Sequence, residues 1–300
     1  MTAPTMPTTA ELIGHFQPGS PEWHAARANG IGGSEIAAVL GLSPYESRFS
    51  LWHRKKNLVE PAEQSDVMEW GHRLEDAIVG KYAEEHPEQT VVPAATYHAP
   101  GRPWWIVNPD RLAINPDGSI DVVEAKNQRM DDEWGEPGTD QVPIWYRCQV
   151  AWYCGALAAR RGRLPVLIGG SEYREYVVEP TAAEIETLAE AGAEFMRTLA
   201  DNERPDIDGH SATYQVVKAL PEGLEDVDVP VTEADRDRYF AALAAFTEAE
   251  TEKRAAAAVL LDQIGNGRRA TYDRKTVATR TVRNGKTYSL QPARNRSTAA

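Results

Sequence analysis

Residues 104–126, WWIVNPDRLAINPDGSIDVVEAK, constrain the fold more than any other stretch. Two β-rich arms, residues 104–114 and 120–125, flank the turn tetrapeptide Asn115-Pro116-Asp117-Gly118. Proline presets φ and glycine accepts a positive φ, so the segment reads as a β-hairpin. With Pro116-Asp117-Gly118 as the loop, Asp110, mid-strand on one arm, faces Glu124 on the other. Lys126 follows two residues later and shares that face. A bulge at the glycine would move the pairing by one residue. Asp117 sits at the turn apex, where its carboxylate points away from the sheet face.

Two carboxylates and an ammonium on one side of a pleated pair suit metal-dependent hydrolysis. Hard carboxylate oxygens favour Mg²⁺ or Mn²⁺, ions that retain waters and accept phosphate oxygens. A charged, solvated hairpin face is the competing interpretation. Composition narrows the setting. The chain has 300 residues, enough for one large α/β domain with an appendage or for two modest domains. It lacks an apolar run of about 18 residues, and its N-terminal residues lack a charged-then-apolar leader. Cys148 and Cys154 fall in one helix and make neither a bridge nor a zinc pattern. These features point to a reducing, cytoplasmic protein with no membrane span. Net charge is −13, which speaks against a protein that simply coats nucleic acid. The sign is uneven: from Asn266 onward nine Lys/Arg stand against one acid, Asp273.

The remaining segments fall into order around the hairpin. Residues 1–10 are Thr/Pro/Ala-rich and read as disordered. Ser20 and Pro21 open a helix that Gly30 ends. Gly30, Gly32 and Gly33 precede a helix beginning near Ser34. They form either a plain connector with Ser34 as an ordinary N-cap or a place where backbone N–H groups approach an anion, with Arg27 one turn earlier. Residues 48–57 form a short helix whose basic end, His53 to Lys56, either touches phosphate or is solvated. A helix over residues 66–86 puts Gly71, Glu75, Ile78 and Tyr82 on one face. Glu75 borders that apolar stripe, where an unpaired carboxylate is costly, so it is either salt-bridged or a metal ligand. Residues 91–98 read as one strand, and residues 127–141 as a polar loop long enough to act as a lid. Pro143 opens a helix over residues 144–162. Its face Tyr146, Gln149, Tyr153 suits either a site wall or a core margin. Arg160, Arg161 and Arg163 crowd its C-terminal end, where the helix dipole favours cations; they are also candidate contacts to a nucleic-acid backbone. Two strands and a helix capped by Thr181 follow. A Pro- and acid-rich linker near residues 204–230 leads to a charged Ala-rich helix over residues 232–264. A basic hairpin turning at Asn284-Gly285 comes last.

Five elements appear together in one order: Arg27 with IGGSE at residues 31–35, Gly71 with Glu75, Pro109-Asp110, Glu124-Ala125-Lys126, and Gln149 with Tyr153. Across residues 20–205 this order resembles the YqaJ viral recombinase group of the PD-(D/E)xK nuclease superfamily, which includes the phage lambda exonuclease. The resemblance implies an α/β fold: a restriction-endonuclease-like core over residues 11–212, with a small mixed sheet flanked by helices. Residues 213–300 would be a C-terminal helical and hairpin appendage. It implies Mg²⁺, with Mn²⁺ as a substitute, held by Glu75, Asp110, Glu124 and the backbone carbonyl of Ala125. Lys126 takes the part of the catalytic lysine, Gln149 orients the phosphate or catalytic groups, and Tyr153 supports it. Arg27, Gly33 and Ser34 match the family's pocket for a 5′-terminal phosphate. The implied activity is 5′→3′ degradation of duplex DNA from its ends. This would leave 3′ single strands for an annealing protein, by a ring-shaped homotrimer. Glu35 departs from the aspartate the family often has there. A structure- or sequence-specific endonuclease on the same fold and a non-catalytic DNA-end-binding recombination accessory protein are the rival readings.

Overall fold

Hydroxyl caps set the starts of five helices. Ser20, Ser47, Ser65, Thr181 and Thr232 each end an extended segment and accept a hydrogen bond from the backbone N–H three residues on. Such a cap stabilises its helix by about 1 kcal/mol. The computed structural model describes residues 8–17, 19–60, 65–221, 223 and 225–293. The chain divides into two units, Met1–Gly223 and Leu224–Ala300.

The first unit opens with β1 (Glu11–Gly14), α1 (Pro21–Ala28), α2 (Gly33–Val39), α3 (Arg48–Lys55) and α4 (Asp66–Glu85). Strands β2 (Thr90–Pro93), β3 (Thr96–Ala99), β4 (Arg102–Val107), β5 (Arg111–Ile114), β6 (Ile120–Val123) and β7 (Lys126–Gln128) follow. Then come α5 (Ile144–Leu157), β8 (Arg161–Ile168), β9 (Glu172–Val178), α6 (Ala182–Ala200) and α7 (Ser211–Ala219). The second unit holds α8 (Glu233–Ile264), β10 (Arg269–Tyr272), β11 (Lys275–Arg283) and β12 (Lys286–Pro292). The result is an α/β fold with a small mixed sheet flanked by helices, as the sequence led us to expect. No helix among the described residues is long and apolar enough to cross a membrane.

The hairpin register is the expected one. Strands β5 and β6 pair antiparallel with Arg111 opposite Val123 and Ile114 opposite Ile120. Gly118 takes φ +82° in the turn. The long first arm, however, is two strands. Pro109 has no N–H for a ladder, so the chain leaves the sheet there. Strand β4 joins β1 and β3 in a three-stranded antiparallel sheet, while β5 enters a six-stranded sheet of order β2-β5-β6-β8-β7, with β9 also on β8. Residues 91–98 split in the same way between the two sheets, as β2 and β3. Asp110 therefore stands at the break between strands and not mid-strand.

The second arm is also interrupted. Both β6 and β7 run parallel to β8, with Val123 opposite Arg163 and Lys126 opposite Val166. The same offset on both sides of Glu124 and Ala125 makes them one strand with a local break. Helix α5 provides the crossover that parallel strands need. It ends earlier than expected, at Ala158 in the left-handed region (φ +53°). Arg161 and Arg163 therefore belong to β8, where both reach the fully buried Asp121 at 3.1 Å. They neutralise a buried carboxylate and do not decorate a helix end.

The core lies between α5 and the sheets. Trp105 and Trp152 stack with centroids 4.3 Å apart. Their indole N–H groups donate to the carbonyls of Trp152 and Ile106, each at 3.1 Å. These contacts fix α5 against β4. The acidic loop expected as a lid is anchored: Trp134 is buried against Tyr176, and Gly138 N donates to Glu175 O at 2.7 Å. Of the segment expected to be disordered, residues 1–7 lie outside the described ones. Thr8 is placed, its Oγ1 donating to Leu157 O at 2.8 Å. The expected linker contains α7, whose Thr213 Oγ1 donates to Ser47 Oγ at 2.7 Å, so α7 belongs to the first unit. In the second unit the basic hairpin has a third strand. Asp273 and Arg274 (φ +47° and +62°) form the extra turn, and Asn284 and Gly285 form the expected one.

Candidate active site

The break at Asn108 and Pro109 brings Asp110 beside the break at Glu124 and Ala125. Asp110 Oδ2 accepts from Ala125 N at 2.8 Å, and Asp110 N donates to Glu124 Oε2 at 3.4 Å. Each irregular segment thus satisfies its backbone with the other's carboxylate. Glu124 N still donates to Arg163 O of β8 at 2.9 Å, so the acids meet through the released N–H groups of Asp110 and Ala125. Asp117, the decoy at the turn, accepts from Ser119 N at 2.9 Å and is exposed.

Lys126 returns to the same face. Its Nζ lies 3.0 Å from Glu124 Oε1 and 3.2 Å from Gln149 Oε1, and 4.6 Å from the centroid of the Tyr146 ring. Gln149, on the buried face of α5, donates through Nε2 to Glu124 Oε1 at 2.5 Å and to Tyr153 Oη at 3.2 Å. One amide therefore orients the glutamate, the lysine and the tyrosine. Burial works against charge on Lys126, but Glu124, Tyr146 and Asp110 around it hold its pKa above the usual value. Its ammonium has three N–H groups. Among the described residues, hydrogen bonds to Glu124 and Gln149 take up two.

Glu75 approaches from α4. Its Oε1 accepts from Arg111 Nη1 at 2.9 Å, and Arg111 also bonds Asp76 and donates to Asp110 O at 2.6 Å. The ion-pair alternative for Glu75 is thus the one the structure displays. Among the described residues no group of three or more His, Cys, Asp or Glu is placed to hold a metal ion. Asp110 and Glu124 still suit a hard divalent cation. Burial, then the charges of Glu124 and Glu75, push the Asp110 carboxyl well above the usual range. Glu75 is raised too, by burial and Glu124, against the pull of Arg111. Clustered carboxylates that raise one another's pKa are what a bound cation relieves.

The glycine segment lies next to this cluster. Ile31 bridges to Trp105 of β4, with Ile31 N donating to Trp104 O at 2.7 Å. Arg27 then reaches Asn108 Oδ1 at 2.9 Å and Ser34 Oγ at 3.0 Å, with its guanidinium 4.3 Å from the Trp23 ring centroid. Asn108 is two residues before Asp110, so the Arg27–Ser34 pair borders the carboxylates. Gly33 is needed for packing: a Cβ there would lie 2.3 Å from Tyr153 Cε1. The helix cap is Gly32 and not Ser34, and Glu35 closes it by accepting from Gly32 N at 2.8 Å. Lys55 and Arg54 each sit 2.9 Å from the Glu35 carboxylate. Burial would raise the Glu35 pKa, but Lys55, Arg27 and Arg54 hold it far below the carboxylate range. The basic end of α3 is therefore spent on Glu35 and Glu46, while His53 is buried with its Nδ1 on Phe49 O.

Sequence reasoning missed Asn108, Arg111 and Gln128, whose Nε2 donates to Tyr146 Oη at 2.7 Å. Only the adjacency of Asn108 to Pro109-Asp110 offered a signal. Arg111 required the tertiary structure.

Residues 22–156 match the YqaJ-like viral recombinase domain, and every candidate site residue from Arg27 to Tyr153 lies within them. Over 224 residues the chain is 28% identical to YqaJ of Bacillus subtilis, covering 72% of this chain and 68% of that protein. A 56-residue stretch is 39% identical to a protein of African swine fever virus, covering 19% of this chain and 16% of that one. In three dimensions the chain is similar to an alkaline exonuclease from Laribacter hongkongensis. The TM-score is 0.51 at 18% identity, covering 67% of this chain and 98% of that one. The same exonuclease in complex with dAMP gives 0.50 at 17% identity. Residues 22–156 are thus similar to the YqaJ-like viral recombinase domain, and the fold is similar to that of an alkaline exonuclease.

Proposed function

We propose that this YqaJ-like chain is a Mg²⁺-dependent exonuclease that degrades duplex DNA from 5′ ends. One observation carries the reading: Asp110, Glu124, Lys126 and Gln149 form one hydrogen-bonded cluster, and Arg27 with Ser34 stands beside it. The likeness to an alkaline exonuclease, solved with the deoxynucleotide dAMP, supports a nucleic-acid substrate. Asp110, Glu124 and the Ala125 carbonyl would hold the ion, joined by Glu75 at the expense of its pair with Arg111. A divalent ion there would polarise the scissile phosphate and offset its charge.

The protein's own groups do the positioning. Arg27 and Ser34 bind the 5′-terminal phosphate, so the next phosphodiester reaches Lys126. Water attacks that phosphorus, a P–O bond forms, and the bond to O3′ of the terminal nucleotide breaks. O3′ leaves with a proton, and the shortened strand keeps a new 5′-phosphate. Glu124 and its other neighbours favour the protonated form of Lys126. Its role is to donate to the attacking water or a phosphate oxygen, not to remove a proton. Gln149 fixes Glu124 and Lys126, and Tyr153 fixes Gln149. In this reading the 3′ single strand left behind passes to an annealing protein, and the working form is a homotrimeric ring.

The test is digestion of end-labelled linear and covalently closed duplexes with and without Mg²⁺. The expected result is mononucleotide release from linear DNA only, in Mg²⁺ only, and faster from 5′-phosphorylated than from 5′-hydroxyl ends. Lys126→Ala and Glu124→Ala should each abolish it. Wild-type rates in either variant would overturn the site, and cleavage of closed circles would indicate an endonuclease. Binding without turnover would indicate an accessory protein.

A further inference from the structure

Beside the candidate active site an aromatic group has no role in the chemistry above. Tyr45, between α2 and α3, keeps 69% of its surface exposed. Its backbone is fixed, because Ser43 Oγ accepts from Tyr45 N at 3.1 Å and from Glu46 N at 3.2 Å. Its ring meets Trp145 edge-on, centroids 6.0 Å apart at 82°. Its hydroxyl end is tucked in: burial and the adjacent Tyr146 raise its pKa. Tyr146 in turn lies under Lys126 Nζ. An anchored hydroxyl and an open ring, one residue removed from Lys126, form a flat apolar platform at the edge of the site.

Two further observations identify its ligand chemistry. The rings of Tyr45, Trp145 and Tyr146 follow one another to Lys126, the group that would meet the scissile phosphate. The exposed Tyr45 ring beside it offers a face to a planar group. Trp145 Nε1, next to the platform, is buried and has no hydrogen-bond partner among the described residues. Nucleobases are planar and carry ring acceptors, and base–aromatic stacking tolerates any sequence.

We propose that Tyr45, backed by Trp145, is a base-stacking subsite that holds the nucleobase next to the scissile phosphate. The inference rests on the nuclease reading above. It adds a specificity for nucleotides that carry a base, without preference among bases. Stacking fixes the strand end before the phosphate reaches Lys126, so Tyr45 acts by positioning.

The test compares wild type, Tyr45→Ala and Tyr45→Phe on 5′-phosphorylated duplexes in Mg²⁺. The substrates carry intact ends or an abasic residue at the first or second position. Loss of one stacked base corresponds to about a 5- to 150-fold effect. Tyr45→Ala should therefore raise KM on intact ends within that range, with a smaller change in kcat. Tyr45→Phe, which keeps the ring, should recover most of the affinity. On the abasic substrate that removes the stacked base, wild type and Tyr45→Ala should converge. Tryptophan fluorescence of each variant checks folding. An unchanged KM in Tyr45→Ala, or a deficit that persists in full on both abasic substrates, overturns the subsite and leaves the nuclease reading standing. If wild type releases no nucleotide from any end, the nuclease reading falls and the subsite falls with it.

Discussion

Replacing Asp121 with asparagine should destabilise the first unit by about 3 kcal/mol while changing almost no volume. Asp121 is fully buried. Its carboxylate accepts from Asn115 Nδ2 at 3.1 Å, Gln89 Nε2 at 3.4 Å, Arg161 Nε at 3.2 Å and Arg163 Nε at 3.1 Å. All four partners are donors. An asparagine must point its own NH₂ at one of them and removes the buried counter-charge of both guanidinium groups, of which Arg161 keeps only Glu179 at 3.5 Å. Removing one member of a buried ion cluster costs about 3–5 kcal/mol. The arginine side chains remain 20% and 15% exposed, so water recovers part of this and the lower end applies. For a unit of this size, 3 kcal/mol corresponds to a fall in Tm of about 6–12 °C. Urea unfolding followed by tryptophan fluorescence reads the effect cleanly. All eight tryptophans, from Trp23 to Trp152, lie in the first unit. Asp121→Leu combined with Arg161→Met and Arg163→Met should restore much of the loss, since the charges leave together. A loss below about 1 kcal/mol for Asp121→Asn would refute the claim that this cluster fixes β6 on β8.

Other expectations follow from single contacts. Gly33→Ala forces a Cβ into the Tyr153 ring, and overpacking of this kind costs about 1–3 kcal/mol. Nuclease activity should fall with it, because Tyr153 holds Gln149; activity assays alongside urea titration check both. Glu35 has a folded pKa below its unfolded one. Its stabilisation is therefore full above the ordinary carboxylate value of about 4.3 and declines as pH falls below it. The stability gap between wild type and Glu35→Gln should be largest near neutral pH and should shrink in titrations at about pH 3. A chain ending at Gly223 should fold and keep the Glu124–Lys126–Gln149 cluster, and circular dichroism with near-ultraviolet spectra would show its loss if it does not.

Local rules were enough to read much of the fold from the sequence. Turn residues at 115–118 fixed the register of β5 and β6, because the pleat permits only one pairing that buries Leu112 and Val122 together. Ser20 and Thr181 announced their helices through cap chemistry. Failures came where a non-local partner decided the outcome. Arg161 and Arg163 look like a helix end until Asp121, some forty residues earlier, is seen beside them. Asp273 and Arg274 both take positive φ without a glycine, so the extra turn carried no glycine signal. Helix α7 lies in a Pro- and acid-rich stretch and is held by contacts such as Thr213 to Ser47.

The site shows the same division, with a chemical consequence. Asp110, Glu124 and Lys126 were legible because strand periodicity places side chains two residues apart on one face. Yet the regular hairpin imagined from the sequence would have committed the backbones of Asp110 and Ala125 to ladder bonds. Pro109 prevents that, and the freed Ala125 N–H donates to Asp110 instead. Asp110 is thereby held half-buried beside Glu124, and repulsion between the two raises its pKa. The irregularity that a pattern-based reading smooths over brings the two carboxylates into contact. It also carries Asn108, and through it Arg27 and Ser34, to the same place. A single proline thus joins two groups of residues that the sequence lists eighty positions apart. Replacing Pro109 with alanine should therefore disturb both the carboxylate pair and the Arg27 pair, although it removes no functional group.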